Sequence, residues 1–453
     1  MRSIIRSILS ITVATTLGSS VAHGALVAPE TINRQKTMTK SYKLKNRIPV
    51  TYREVPGSSI LSVSVSFSTG LKDQPKGRKV LGRWLTSAMT IASKEYSKDK
   101  VYAVREKFAI DLNCSAGVEI TTCDVGTLNE YWKDALALFS SLVIRPTFPE
   151  ADANIVKDRL VSQLKRIPQA PDDYINEIVN RAFYPADHPF RLDYTDALAE
   201  LESLTIKDLK EAHAQLINSN NMRIVVVGSY PSKDMIKQLD TAFGDIAAAS
   251  VKPVEVPLPR NDKSKAYIFE HREIPTAYIR LKFNAPSAID AAAPTSRLLF
   301  EILSEELWEE IRTKQSLSYS VYAATTQYSR GIGALSATTS KPRETLAALA
   351  TVIQKVKTKT YTPEEIEEYK RTFATSYYRG QETHDHLADS IVSGLFYFGS
   401  TDPLYELPKR LDEVTPADIR KLANQILTQM TIGVLYDRKK FEDDWAKQLL
   451  ESI

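Results

Sequence analysis

An internal repeat is the feature that most limits what this chain can fold into. The segment DALALFSSLVIRPTFPEADANIVKDRL, from Asp134, reappears in altered form as ETLAALATVIQKVKTKTYTPEEIEEYKRTF, from Glu344. The segment ESLTIKDLKEAHAQLI, from Glu202, reappears as DEVTPADIRKLANQIL, from Asp412. The aligned prolines Pro149 and Pro363 are 214 residues apart, and the aligned Thr205 and Thr415 are 210 apart. Two echoes at nearly the same offset predict two units of the same fold, and 453 residues suit two domains.

Each unit combines strand patterns with helix patterns. In ILSVSVSFSTG, from Ile60, apolar residues alternate with serines, which predicts a strand whose two faces meet different surroundings. The segments RIVVVG and TIGVLYD predict a buried strand near the end of each unit, with amphipathic helices before them. The predicted fold class is therefore α+β: two homologous α/β sandwich domains, each with a mostly antiparallel sheet and helices packed on one face.

Composition along the chain predicts the domain boundaries and the cellular location of the protein. Residues 1–24 resemble a signal peptide, because two arginines precede an apolar run that is too short to span a bilayer, and small residues follow it. Residues 250–265 are rich in Pro and Lys, which predicts a linker between an N-terminal domain, 25–249, and a C-terminal domain, 266–453. We expect an exported protein with no membrane insertion, periplasmic if the source is a Gram-negative bacterium.

Charge and motifs exclude several classes of function. Lys and Arg exceed Asp and Glu by only four, and the basic residues are scattered, which argues against a nucleic-acid partner. The chain contains no Gly-x-Ser-x-Gly elbow, P-loop or dinucleotide-binding fingerprint. These absences argue against the enzyme classes that depend on those motifs.

The two cysteines, Cys114 and Cys123, flank a predicted β-hairpin. An oxidising compartment would permit a disulfide between facing strands, but free buried cysteines are also common, so the sequence leaves both states open. Two cysteines without a nearby histidine do not predict a zinc site.

A helix-to-strand corner in the C-terminal unit contains the candidate functional residues. Over residues 305–324, EELWEEIRTKQSLSYSVYAA, an amphipathic helix changes into an alternating strand. Arg312 lies in the last helical turn, and Tyr319 follows at the start of the strand. A guanidinium and a phenol at such a corner can bind a peptide carbonyl or an oxyanion. Spacing alone also permits a structural role, in which Arg312 caps its helix and pairs with Glu309 while Tyr319 lies in the core.

The repeat and this corner together resemble the insulinase/pitrilysin family of zinc metallopeptidases, and in particular its processing-peptidase-like members with two domains per chain. The C-terminal motif of that family, L-x-x-x-[LI]-R-x-x-x-x-L-x-Y-S, is matched by Leu307, Ile311, Arg312, Leu317, Tyr319 and Ser320. The resemblance covers almost the whole mature chain. It implies that Arg312 and Tyr319 assist substrate binding and the tetrahedral intermediate.

The resemblance also implies where zinc would bind, and there the chain departs from the family. The family's His-x-x-Glu-His motif belongs on the first helix after FSTG, where the aligned residues are Arg83, Trp84, Leu85, Thr86 and Ser87. The third zinc ligand, a downstream Glu, aligns with Gln163. Arg has no lone pair to offer, Ser is a poor zinc ligand and Gln carries no charge. Thr86 cannot act as a general base, so we expect neither zinc nor catalysis in this chain alone.

The resemblance therefore implies a non-catalytic, substrate-binding subunit of a heterodimeric zinc metallopeptidase that degrades or processes peptides. A homologous partner subunit with the intact motif would hold the zinc, and this chain would supply Arg312 and Tyr319 to it. The substrates would be unfolded peptides, bound in part as an added strand on a sheet edge. The alternative is a catalytically dead peptide-binding or scaffold protein with no peptidase partner.

Overall fold

The computed structural model describes residues 25–259 and 265–453, and within them the chain forms two β-sheets and sixteen α-helices. The strands are β1 (Thr39–Lys43), β2 (Pro49–Glu54), β3 (Ile60–Phe67), β4 (Asp111–Ala116), β5 (Thr121–Leu128), β6 (Met222–Gly228), β7 (Ala266–His271), β8 (Ala277–Ala285), β9 (Ser320–Gln327), β10 (Gly331–Thr339) and β11 (Met430–Tyr436). The helices are α1 (Pro29–Thr37), α2 (Leu81–Met89), α3 (Lys98–Lys107), α4 (Trp132–Ile144), α5 (Glu150–Arg166), α6 (Pro171–Phe183), α7 (Tyr194–Ser203), α8 (Ile206–Leu216), α9 (Ser232–Phe243), α10 (Ala293–Leu307), α11 (Pro342–Thr358), α12 (Pro363–Arg379), α13 (His384–Phe398), α14 (Asp402–Asp412), α15 (Pro416–Ile426) and α16 (Asp443–Glu451).

The two sheets have the same strand order, which confirms the internal repeat. The first sheet runs β1-β2-β6-β3-β5-β4, and the second runs β7-β11-β8-β10-β9. Apart from the additional edge strand β1, the two orders correspond strand by strand. In each sheet one pair is parallel, β2 with β6 and β7 with β11, and the other neighbours are antiparallel. The predicted fold class, two homologous α/β sandwich domains with mostly antiparallel sheets, is confirmed.

The repeat extends to individual hydrogen bonds. Thr205 and Thr415, which are aligned in the sequence, are the N-caps of α8 and α15. Each threonine hydroxyl accepts a hydrogen bond from the backbone N–H three residues later, and the aspartate there accepts one from the threonine N–H. This reciprocal pair satisfies N–H groups that a helix start otherwise leaves unbonded, so the same local chemistry starts the same helix in both domains.

One face of each sheet packs against helices of its own domain, as the alternating pattern predicts. In β3 the side chains of Leu61, Val63, Val65 and Phe67 are fully buried. They share one hydrophobic core with residues of α2 and α4, among them Trp132. The corresponding face of the second sheet packs in the same way against α10, α11 and α15.

The opposite face of each sheet is covered by a helix from the other domain, which the sequence does not predict. Helix α6 packs on β8 and β11 of the second sheet, and α13 packs on β3 and β6 of the first. The serines of β3, Ser62, Ser64 and Ser66, are therefore buried rather than exposed to solvent. Apolar residues of β6 and α13, among them Val225 and Ile391, form the contact.

The tips of two corresponding hairpins also meet between the domains. Glu119, in the β4–β5 turn, is only 2% exposed. It accepts hydrogen bonds from the N–H of Ser329 at 2.9 Å, from the hydroxyl of the same serine, and from Tyr397 Oη at 2.7 Å. Ser329 lies in the β9–β10 turn and Tyr397 on α13. Three donors offset the desolvation of this carboxylate, so the contact ties the two domains together.

Cys114 of β4 lies directly opposite Cys123 of β5, and a disulfide joins them across a Cα–Cα distance of 4.0 Å. Both side chains are buried in the core of the first domain. Of the two states that the sequence leaves open, the structure has the bonded one.

The structure describes only some of the segments that the sequence analysis predicts. The predicted signal peptide, residues 1–24, lies outside the described residues, as do 260–264 of the predicted linker. The domain boundaries at 25–249 and 266–453 stay a prediction. Among the described residues, no helix is both long enough and apolar enough to cross a membrane.

Carboxylates gather where α13 crosses the first sheet. Asp124 on β5, Asp111 on β4, and Asp385 and Asp389 on α13 line a cavity of about 200 Å³. Ser62 donates a 2.5 Å hydrogen bond to Asp385. Burial, together with the charges of Asp389 and Asp385, raises the pKa of Asp124 from 3.8 to about 6. The contact between the domains therefore takes up a proton in mildly acidic solution.

The approach of α6 to the second sheet predicts a specific sensitivity at Gly433. A Cβ at this position of β11 would lie 2.2 Å from Val179 Cγ2 on α6. We expect Gly433→Ala to lower the free energy of unfolding by about 1–3 kcal/mol, because the helix must move away. Urea denaturation measures this, and Val179→Ala in the same chain should relieve most of the loss. The control is Gly126→Ala on β5, where the nearest atom is 3.9 Å away; an equal loss there would contradict the close-approach explanation.

The carboxylates at α13 predict a pH dependence of stability. Because the pKa of Asp124 is higher in the folded than in the unfolded chain, its protonation stabilises the fold at low pH, and this contribution is lost as pH rises through about 6. We expect Asp124→Asn to raise the free energy of unfolding by about 1–2 kcal/mol at pH 7.5 and by much less at pH 4.5. The control is Asp158→Asn at an exposed position on α5. A difference for Asp124→Asn that is the same at both pH values would refute the assignment.

Candidate functional site

Arg312 lies in a π-helical segment, Trp308–Lys314, that continues directly from α10. Single π-helical turns are rare and occur frequently at functional sites. The Arg312 guanidinium carbon is 3.8 Å from the centroid of the Trp308 ring and 5.6 Å from that of Tyr319. One guanidinium N–H also donates to the carbonyl oxygen of Tyr319 at 3.4 Å. Contact with two aromatic rings restricts the orientation of the guanidinium, which stays partly exposed.

The corner that carries Arg312 and Tyr319 is held by buried neighbours. Ile311 and Leu317 are buried, and the N–H of Leu317 donates to the carbonyl oxygen of Ile311 at 2.8 Å. Ser316 between them adopts a left-handed φ of 51°, which turns the chain from helix to strand. The Leu317 carbonyl accepts a 2.6 Å hydrogen bond from Thr339 Oγ1 on β10. The exposed pair is therefore presented by a corner that is fixed on both sides.

The exposures at the corner argue against the structural alternative, in which Tyr319 lies in the core and Arg312 pairs with Glu309. Tyr319 is 88% exposed, so it does not belong to the core. Glu309 lies 3.8 Å from Lys314, and among the described residues no carboxylate lies within 4.0 Å of the Arg312 guanidinium. The pair is therefore free to contact another molecule.

Trp308 is a further member of this cluster, which the sequence analysis did not single out. Its ring is 42% exposed, whereas Leu307 and Ile311 on the same segment are fully buried. Its position four residues before Arg312 is the signal that could have identified it, because residues at this spacing on a helix are neighbours.

The strand that follows the corner is a sheet edge. β9 begins at Ser320, directly after Tyr319, and it pairs only with β10 on one side. Along it the side chains of Tyr322, Ala324 and Thr326 are exposed. An edge strand has backbone N–H and C=O groups that an extended peptide can pair with. Arg312 and Tyr319 therefore stand at one end of a surface that can accept a peptide as an added strand.

The positions aligned with the zinc motif lie on α2 and α5. Arg83 and Gln163 are exposed and Ser87 is partly buried. Thr86 is buried, and its hydroxyl donates to the carbonyl oxygens of Gly82 and Arg83, at 3.1 and 3.3 Å. A hydroxyl engaged within its own helix offers nothing to a metal, and the three other side chains do not suit zinc. Among the described residues, no three His, Cys, Asp or Glu side chains are grouped to hold a metal ion.

The helices at these positions remain firmly docked although the zinc ligands are absent. Trp84 of α2 is fully buried, and its indole N–H donates to the carbonyl oxygen of Ala153 on α5 at 2.9 Å. Lys157, also on α5, lies over the same indole ring at 5.3 Å. The side chains at the aligned zinc positions therefore differ from the motif, while α2 and α5 still pack against each other.

The structure does not bring the two sets of predicted residues together within the chain. Arg83 lines a cavity between the two domains, and the described residues lining this cavity include neither Arg312 nor Tyr319. The Arg312 corner instead faces solvent. The two sets of predicted residues therefore do not form one site within the described chain, and Arg312 and Tyr319 are accessible to another molecule.

Comparisons with known proteins identify relatives along most of the chain. Residues 203–373 match the family model described as the Peptidase M16 inactive domain. The non-peptidase homolog YmxG of Helicobacter pylori is 20% identical over 408 residues, 87% of this chain and 93% of that protein. A crystal structure of a peptidase M16 inactive domain from Pseudomonas fluorescens covers 88% of this chain and 98% of that one, with a TM-score of 0.79 at 18% identity. The periplasmic protease PqqL from Escherichia coli covers 95% of this chain but only 48% of its own, with a TM-score of 0.74 at 19% identity.

The exposed cluster predicts that Arg312 and Tyr319 contribute little to folding. We expect Arg312→Ala with Tyr319→Phe to change the free energy of unfolding by at most about 1 kcal/mol, the scale of an exposed cation–π contact. Removing the guanidinium should also make Trp308 more accessible to acrylamide, which fluorescence quenching measures. A loss of more than about 2 kcal/mol would instead indicate a structural role.

Proposed function

Because residues 203–373 match the family model of the Peptidase M16 inactive domain, we propose that this chain is an inactive member of that peptidase family and a non-catalytic, peptide-binding subunit of a zinc metallopeptidase. In this proposal a homologous partner subunit with the intact zinc motif holds the metal and the general base. This chain supplies Arg312 and Tyr319 to the partner's site, and the heterodimer degrades or processes unfolded peptides.

The observation that carries the proposal is an asymmetry between the two halves of the chain. The zinc positions have lost all their ligands, whereas Arg312 and Tyr319 are retained and presented to solvent by a fixed corner. A chain without any peptidase role would have no reason to keep an exposed arginine and tyrosine ordered in this way. A partner that needs them accounts for both features.

A solved structure supports a second portion of similar size in the active assembly. The periplasmic protease PqqL has the fold of this protein over 48% of its own length. That protein therefore has room for a second portion of similar size in one polypeptide. For the present chain, we propose that a separate homologous subunit takes the place of that second portion.

The chemistry of the pair suits a peptide under attack at its carbonyl. The guanidinium of Arg312 and the hydroxyl of Tyr319 are hydrogen-bond donors that can stabilise the negative charge that develops on the carbonyl oxygen. The adjoining edge strand β9 would align the peptide by backbone hydrogen bonds, with little dependence on its sequence.

The proposal places the complex outside the cytoplasm, in the periplasm if the source is a Gram-negative bacterium. The N-terminal 24 residues have the charge and hydropathy of an export signal. The disulfide between Cys114 and Cys123 is compatible with an oxidising compartment.

The experiment that tests the partnership is to purify the mature chain alone and together with a zinc-motif homologue from the same organism. We expect no peptidase activity and no zinc in the lone chain, and both in a 1:1 complex. Activity with stoichiometric zinc in the lone chain would mean that the alignment of Arg83, Thr86, Ser87 and Gln163 is wrong. Absence of any association would favour the alternative function, a peptide-binding or scaffold protein without a peptidase partner.

The role of the pair is tested by turnover of the complex. We expect Arg312→Ala with Tyr319→Phe to lower kcat by about 10²-fold, the scale of losing an oxyanion donor, while the 1:1 complex and its zinc remain. The matched control is Arg371→Ala with Tyr102→Phe, which changes an exposed arginine and an exposed tyrosine on α12 and α3. Unchanged turnover in the first variant would reject the assignment of Arg312 and Tyr319.

A further inference from the structure

The cavity between the two domains has features of a binding site of its own, although it shares Ala324 and Thr326 with the β9 strand that the proposed function uses. It measures about 410 Å³. Helix α6 packs over β7, β11 and β8, and the adjoining strands β10 and β9 form part of the cavity floor. Helices α2 and α5 of the first domain contribute to its walls. A cavity of this size at a domain interface is where small ligands commonly bind.

One lysine and two alanines lie in a row across the floor. Ala334 of β10 is paired with Lys282 of β8 on one side and with Ala324 of β9 on the other. Directly paired residues of antiparallel strands point to the same face of a sheet. The two small side chains leave the space open, and the lysine stands at one end of it.

The Lys282 ammonium group lies in this cavity without an ion-pair partner among the described residues. It donates a hydrogen bond to the side-chain oxygen of Asn180 and lies 5.7 Å from the centroid of the Tyr184 ring. Among the described residues, no carboxylate lies within 4.0 Å of it, although Glu177 is in the same lining. Burial lowers its pKa from 10.5 to about 8. An ammonium with three donors and one hydrogen-bonded acceptor gains from an anionic partner.

The Glu177 carboxylate is already engaged and does not neutralise the lysine by contact. Its Oε1 accepts the backbone N–H of Tyr194 at 2.9 Å, and burial raises its pKa. The neighbouring cation on β8, Arg280, differs in this respect, because it forms an ion pair with Asp172 at the start of α6. Of these two cations under α6, Lys282 lines the cavity, and it is the one that forms no ion pair with a carboxylate of the described residues.

The remaining walls are apolar and aromatic. Tyr184, Phe190, Tyr328 and Ile332 line the cavity, and the rings of Tyr184 and Phe190 meet edge to face at 6.4 Å. Surfaces of this kind bind a flat or branched apolar group. Arg83, on the first domain's side, adds a second positive charge at the lining.

We propose that this cavity binds an apolar or aromatic carboxylate, with the Lys282 ammonium holding the carboxylate and the aromatic walls enclosing the apolar group. Two sources would supply this chemistry: the C-terminal residue of a peptide, or a free aryl or alkyl acid. The site lies within one chain and needs neither zinc nor a peptidase partner.

The test is calorimetric titration of the full mature chain, without any partner, so that its result is independent of the turnover assay. The probes are N-acetyl-phenylalanine, its amide, and a five-residue peptide ending in phenylalanine, as the acid and as the amide. We expect at least one acid to bind and its amide to bind about 10- to 100-fold more weakly, the scale of a hydrogen bond to a charged group. Binding of both acids assigns the site to peptide ends, and binding of the acetylated amino acid alone assigns it to small acids.

Two variants locate the binding. Lys282→Met should weaken binding of the acid about 10- to 100-fold, and Ala334→Leu should abolish it by filling the floor. The matched control is Lys357→Met, at another partly buried lysine whose pKa burial lowers, outside this cavity. Thermal unfolding of each variant checks that the fold remains. Equal binding of acid and amide, no binding of either acid at millimolar concentration, or an equal loss in Lys357→Met would overturn the proposal.

Discussion

The exchange of two helices between the domains is the constraint on which the rest of the structure depends. Helix α6 of the first domain covers the second sheet, and α13 of the second domain covers the first. Each sheet would otherwise expose a face whose residues are buried, including the serines of β3 and Val225 and Val227 of β6. Because each domain completes the other, helix packing constrains the relative placement of the two sheets. Residues of the predicted linker add to this contact, since the carbonyl oxygens of Val256 and Pro257 are hydrogen-bonded to Arg330 and His188.

Within the first domain, the packing of α2 on α5 does not depend on the residues at the aligned zinc positions. The helices α2 and α5 are held by Trp84 and its hydrogen bond to Ala153, and neither contact involves a metal ligand. The positions of Arg83 and Gln163 are exposed, so substitution there disturbs little packing. The side chains at the aligned zinc positions and the side chains that hold the two helices together are thus different residues of the same helices.

The same arrangement creates two surfaces that suit different binding partners, the Arg312 corner and the cavity beside Lys282. At the Arg312 corner, buried Ile311 and Leu317 fix the backbone so that the exposed Tyr319 is presented with limited freedom. In the cavity, α6 spans only part of the second sheet, and the alanines of β9 and β10 leave room beside Lys282. The first surface suits a macromolecular partner and an extended peptide, and the second encloses a small apolar group. Neither requires a change in the packing of the domains.

Much of the fold could be predicted because it depends on local pattern. The repeat and the strands of each sheet follow from residue type and spacing. The expectation of no zinc in this chain rests on four side chains that cannot act as ligands or base, and it stays a prediction. Arg312 and Tyr319 were singled out by their motif, but spacing could not show that Tyr319 is exposed rather than part of the core.

The tertiary structure alone decided the exchange of α6 and α13, the exposure of Trp308 and the cavity at Lys282. The physical reason is that an amphipathic helix has the same sequence pattern whichever sheet it covers. Which sheet that is depends on contacts between residues far apart in the chain, such as Val179 against Gly433.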